Sequence, residues 1–152
     1  MNKPLKTLKT LTYTAALCLW GTAALAQSSP TGLWRTIDDD GKTEKSLVRI
    51  TDAGGTLTGK VEKIADPARQ DARCGDCEGS RKDQPVLGMT IIEGVRAGSS
   101  ADLWDGGTIL DPNNGKVYKV RMTLKDGGRT LDVRGYVGMP LLGRTQTWQR
   151  VE

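Results

Sequence analysis

From residue 32 onward the chain is divided by turns rich in Gly, Asp and Asn, and short segments of alternating apolar and polar residues lie between them. That alternation is the signature of half-buried strands, and turns recurring this often point to an all-β fold. The first strand is expected over Gly32–Ile37, ended by Asp38-Asp39-Asp40-Gly41. A second contains Leu47-Val48-Arg49-Ile50, before the turn Asp52-Ala53-Gly54-Gly55, and a third covers Thr56–Val61. A fourth spans Val86–Val95 and a fifth Leu103–Leu110, followed by the hairpin turn Asp111-Pro112-Asn113-Asn114-Gly115. The sixth, Lys116–Lys125, is the clearest: Tyr118, Val120, Met122 and Leu124 share one face, and Val117, Lys119, Arg121 and Thr123 the other. Leu131–Arg134 and Arg144–Val151 supply the seventh and eighth. Eight short-linked antiparallel strands are enough to close an up-and-down β-barrel around its own side chains or one small ligand. The long exception is a polar loop, Ala65–Pro85.

The first 26 residues read differently. Lys3, Lys6 and Lys9 precede an uncharged apolar stretch from Leu11 to Leu25, and Ala24-Leu25-Ala26 forms an A-x-A cleavage site. This is the pattern of a removed signal peptide, which leaves residues 27–152 as one domain, periplasmic or secreted, without membrane insertion after cleavage. The leader also carries most of the net charge of +4. What remains is nearly neutral with interspersed signs, so it offers no electrostatic footprint for nucleic acid.

The chain has no His, which removes the familiar Ser–His and Cys–His nucleophile arrangements. Carboxylates such as Asp102 and Asp105 stand beside Gly-rich turns, where such residues commonly act as solvated turn formers. Gly54 to Lys60 fits G-x-x-x-x-G-K, but Val61 occupies the position of the magnesium-holding hydroxyl, and the segment is a hairpin. Aligning Gly41 with the glycine of a calcium loop leaves Thr36 and Leu47 where acids are required. No catalytic residue, metal site or cofactor is expected.

Cys74-Gly75-Asp76-Cys77 is the one chemically loaded motif. In an oxidising compartment a structural disulfide is the default reading. A redox-active pair would want its first Cys at a helix N-terminus, and zinc would need further ligands. All three readings stand at this level.

The two ends of the domain, Gly32-Leu33-Trp34 and Trp148-Gln149-Arg150, form a further pair. A G-x-W on the first strand beside a basic side chain on the last is a lipocalin-like (calycin) feature. It would place Trp34 as a plug, with Arg150 or Arg144 stacked on its indole, and would make Gly32, Trp34, Arg144, Trp148 and Arg150 structural. Trp104, Tyr118 and Tyr136 are the candidate ligand contacts.

Several longer motifs accompany these: Gly32-Leu33-Trp34-Arg35-Thr36, the Cys74–Cys77 motif, Pro85-Val86-Leu87-Gly88, Gly106 through Tyr118, Arg134-Gly135-Tyr136-Val137-Gly138 and Gly143 through Trp148. With them the chain resembles a family of short exported bacterial proteins carrying a domain of unknown function. The resemblance covers the whole region after the leader. It implies a lipocalin-like barrel holding a small apolar or amphipathic molecule, and it brings no established reaction or known protein partner. Avidin-type barrels also begin with G-x-W, but the later motifs depart from theirs, so no biotin site is implied. The sequence thus leaves three readings. The first is a non-enzymatic ligand-binding barrel. The others are a filled barrel acting as an envelope interaction module and a thiol–disulfide protein using Cys74 and Cys77.

Overall fold

The computed structural model describes residues 29–152, so the leader and the cleavage site lie outside the described residues. Eight antiparallel strands close into one barrel in simple chain order. They are β1 (Gly32–Ile37), β2 (Glu44–Ala53), β3 (Thr56–Ile64), β4 (Thr90–Ala97), β5 (Leu103–Asp111), β6 (Lys116–Lys125), β7 (Thr130–Tyr136) and β8 (Arg144–Arg150). Closure is made by β1 and β8, with Trp34 opposite Arg150 and Arg35 opposite Gln149. Closing the sheet removes both of its edges.

The expected alternation sets the inner face. On β6, Val120, Met122 and Leu124 are buried and Tyr118 is half-buried, while Val117 and Lys119 are exposed. Their partners across the sheet extend this face around the barrel: Met122 lies opposite Trp104 and Val133, and Leu124 opposite Leu131.

Because the strands run up and down, their connections fall at two ends. At one end are the Gly54-Gly55 turn, residues 98–102 and 126–128, and the chain entry at Gly32. Gly54 and Gly55 both have positive φ, 65° and 83°, which is what a two-residue hairpin turn matching the twist of the strands requires. At the other end are residues 38–43, 65–89, 112–115 and 137–143.

The expected fourth strand is corrected: β4 starts at Thr90, not Val86. Val86 instead donates its N–H to Ala72 O at 2.8 Å, and Gly88 donates to Val61 O at 2.8 Å with φ of 84°. Residues 65–89 therefore form a single folded loop with two short 3-10 turns, Pro67–Arg69 and Gly79–Arg81, and a bridge between Arg73 and Pro85. Single hydrogen bonds, to Ala72 of the same loop and to Val61 of β3, took the place of the regular strand ladder that the apolar run Val86-Leu87 had suggested.

Candidate functional site

The two halves of the interior are occupied differently. Toward the end entered at Gly32, Trp34, Val48, Ile50, Ile92, Met122 and Leu131 are almost wholly buried and fill the barrel. Trp34 is the plug. Its Nε1 donates to Pro30 O at 2.8 Å, and the Arg150 guanidinium lies 4.2 Å from its ring centroid. Arg150 also donates to Thr31 O and Ser29 O, both at 2.7 Å, and through Nε to Gly128 O. Burial holds the pKa of this guanidinium below its ordinary value, yet it stays a cation. Gly32 is required here: a Cβ would stand 2.3 Å from Glu152 O and 2.7 Å from Arg150 Nη1, at a φ of 132°.

Of the two arginines proposed for the stack, Arg150 occupies it. Arg144 is corrected to the opposite end of β8, where it is exposed and ion-paired with Asp39. The physical reason is direction: β8 runs toward the plug, so its first residue lies at the far rim.

That far half is hollow. It holds a cavity of about 890 Å³, open at the mouth, with Val61, Ile109, Tyr118, Val133 and Trp148 on its walls and floor. Gly135 also lines it, and a Cβ there would lie 3.6 Å from Ile109 Cγ2 and from Tyr118 Cβ, so the missing side chain is itself part of the space. The rim is polar. Lys45 Nζ sits 3.4 Å from Asp38 Oδ2, Gln146 Nε2 donates to Asp39 Oδ1 at 3.3 Å, and Arg69 donates to Asn113 Oδ1 at 3.2 Å. The Asp39 amide bonded to Asp38, helped by Lys45, holds the Asp38 carboxyl below its ordinary pKa, so the rim keeps both signs of charge at neutral pH. Among the described residues, no group of three or more His, Cys, Asp or Glu is placed to hold a metal ion.

One side of the mouth is formed by the cysteine loop. Cys74 and Cys77 are bonded to each other, buried, and part of the apolar cluster that includes Met89 and Leu110. Cys74 Sγ touches Pro112 O at 3.4 Å. Gly115, at φ 69°, allows the loop to seat on the β5–β6 hairpin, since a Cβ there would stand 2.0 Å from Asp76 O. Ala72 and Val86 of this loop then reach the cavity.

Of the expected ligand contacts, Tyr118 lines the cavity. Tyr136 reaches it from the rim: its register opposite Lys119 puts it on the outer face, and Gly135 is the inner residue. Trp104 is corrected. As the second residue of β5 it lies toward the plugged end, buried opposite Met122, and does not line this cavity. Gln146 was missed, although counting back two residues from Trp148 along β8 places it on the same face.

A closed eight-stranded antiparallel barrel, plugged at one end by a G-x-W tryptophan under an arginine and hollow at the other, is a lipocalin-like barrel. The chain belongs to the family described as an uncharacterized protein conserved in bacteria (DUF2147), which it matches over residues 32–150. Among solved structures it is similar to protein HP1028 of Helicobacter pylori, described as belonging to the lipocalin family. The two share 17% identity at a TM-score of 0.71, over 82% of this chain and 84% of that one. At that identity the likeness concerns the fold. No curated protein matches the chain.

Proposed function

We propose that this protein is a non-enzymatic binder that holds one small hydrophobic or amphipathic molecule in the open half of its barrel, after export to the periplasm or beyond. The observation that carries this reading is the cavity of about 890 Å³, apolar within and charged at its rim. Its size falls in the range of about 300–1,000 Å³ typical of small-molecule sites. An apolar tail would be held by burial in the cup, and a polar head would stay at the rim, where desolvation is least costly. The absence of His and the rim's mutually paired charges argue for binding rather than turnover. Burial of both sulfurs argues against thiol exchange, which needs an attacking thiolate to reach one of them.

The test has two parts. Protein purified from its native source is expected to lose a discrete mass on denaturation, which would identify the guest. Replacing Gly135 with Leu should crowd the cup beside Ile109 and Tyr118 and weaken binding of a fluorescent fatty acid by about tenfold or more, equivalent to about 1.4 kcal/mol. Equal binding by Gly135→Leu and wild type would remove the cavity from consideration. A bare polypeptide, with no affinity for such probes, would favour a barrel that acts through its loops.

A further inference from the structure

The geometry points to the β7–β8 loop, residues 137–142, as a lip that inserts into a lipid surface and seats the mouth of the cavity against it. Val137, Met139, Leu141 and Leu142 are 71%, 61%, 82% and 76% exposed, the most exposed large apolar side chains among the described residues. They come from one loop tip, in the run Val137-Gly138-Met139-Pro140-Leu141-Leu142. Such concentration calls for an explanation, because apolar side chains left on a surface are normally scattered singly.

The loop is held outward. Arg134 donates to Pro140 O, to Leu141 O at 3.0 Å and to Thr145 Oγ1 at 2.7 Å. Gly143 lets the return strand press on β7, since a Cβ there would meet Gly135 O at 2.6 Å. A tip fixed in this way has already lost the conformational freedom that an inserting loop would otherwise lose.

Two features of the patch and one general property of bilayers select lipid over protein as the occupant. The patch is a protruding tip exposing on the order of a few hundred Å², well under the roughly 800 Å² per partner of a stable protein interface. A bilayer is deformable and needs no fitted counter-surface, so a few apolar side chains entering the headgroup boundary suffice for reversible binding. The lip is also continuous with the cavity, because Val137 and Leu142 line it, while the neighbouring charges Asp38, Asp39, Lys45 and Arg144 are engaged with one another. Docking in this orientation would open the cup directly onto the apolar layer. Exchange of a guest with that layer rests on the binding reading above; docking itself does not.

The experiment is sedimentation of the barrel domain with vesicles of phosphatidylethanolamine carrying a minor share of phosphatidylglycerol, beside its double variant Met139→Ser/Leu141→Ser. Neither residue lines the cavity, and both are exposed, so the variant should fold and bind the fluorescent fatty acid in solution as wild type does. Wild type is expected to sediment with the vesicles, with little change on adding salt, and the variant to lose about tenfold or more of that affinity. Failure of wild type to bind, binding that the variant retains, or binding abolished by salt would each overturn the lip. So would a concentration-dependent dimer that the variant loses, since the patch would then belong to a second copy of the chain. Vesicle docking without any fatty-acid binding would leave the lip standing and remove the cup reading instead.

Discussion

The plugged and open ends of this barrel are made from the same eight strands, yet one is solid and the other hollow. At the plugged end the inner positions carry Trp34, Ile50, Met122 and Leu131, and the connections are tight turns that need little covering. At the open end the inner positions carry Ser46, Gly135 and Gln146 between Val61, Ile109, Tyr118 and Trp148, and long loops rise around them. Strand geometry therefore does not decide which half holds a guest. Side-chain volume at alternate positions decides it, together with where the chain spends its long connections.

The comparison also separates stability from binding, because a filled interior resists truncation and an empty one tolerates filling. Trp34→Ala should cost about 3–5 kcal/mol, read from denaturant unfolding, as expected for removal of a large buried aromatic. A cost below ~1 kcal/mol would mean that the plug is not the foundation of the fold. Arg150→Met should follow at about 2–4 kcal/mol. It strips donors from the carbonyls of Ser29, Thr31 and Gly128 and removes the cation above Trp34.

Effects should shrink toward the mouth. Serine at both Cys74 and Cys77 should cost about 2 kcal/mol, the loop-closure value for so short a ring. It should also loosen the wall at Ala72 and Val86, visible as faster amide exchange in residues 65–89. Gly135→Leu should leave the unfolding midpoint nearly unchanged while weakening probe binding by about tenfold or more. A loss of stability comparable to that of Trp34→Ala would show that the open half is as tightly packed as the plugged one.

The smallest effect concerns the outer face of β7. Burial raises the Asp132 pKa, but hydrogen bonds from Lys125 and Thr147 outweigh it and leave this carboxyl below its ordinary value. Such a group stabilises the fold above the unfolded pKa of about 3.9. That contribution disappears as the pH falls through the lower folded value. Asp132→Asn should therefore remove ~0.5–1 kcal/mol at neutral pH and flatten the loss of stability below about pH 4. A pH–stability profile that overlays wild type would sink this assignment.

How much of this was written in the chain depends on the range of the interaction. The inner face of β6 was legible because period-two alternation is local: Tyr118, Val120, Met122 and Leu124 face inward whatever the neighbouring strands do. Val86 to Met89 misled because an apolar run reads as strand until a distant carbonyl, that of Ala72, takes its N–H. Trp104 was misplaced for a related reason. Alternation indicates inside or outside, but height along the barrel axis depends on which end a strand starts from.

By itself, then, the sequence determined the all-β class, the eight strands and the absence of His chemistry, while the pairing of Gly32-Leu33-Trp34 with the last strand was implied only by its likeness to lipocalin-type barrels. The first three follow from residue type and spacing over a few positions. Tertiary structure alone decided that Arg150 rather than Arg144 lies over Trp34, that Gly135 leaves space beside Tyr118, and that the cysteine loop seats on Gly115. It also decided that an apolar tip stands at the cavity mouth. All of these depend on barrel closure, which sets register and height between residues far apart in the chain, and no local pattern encodes that distance.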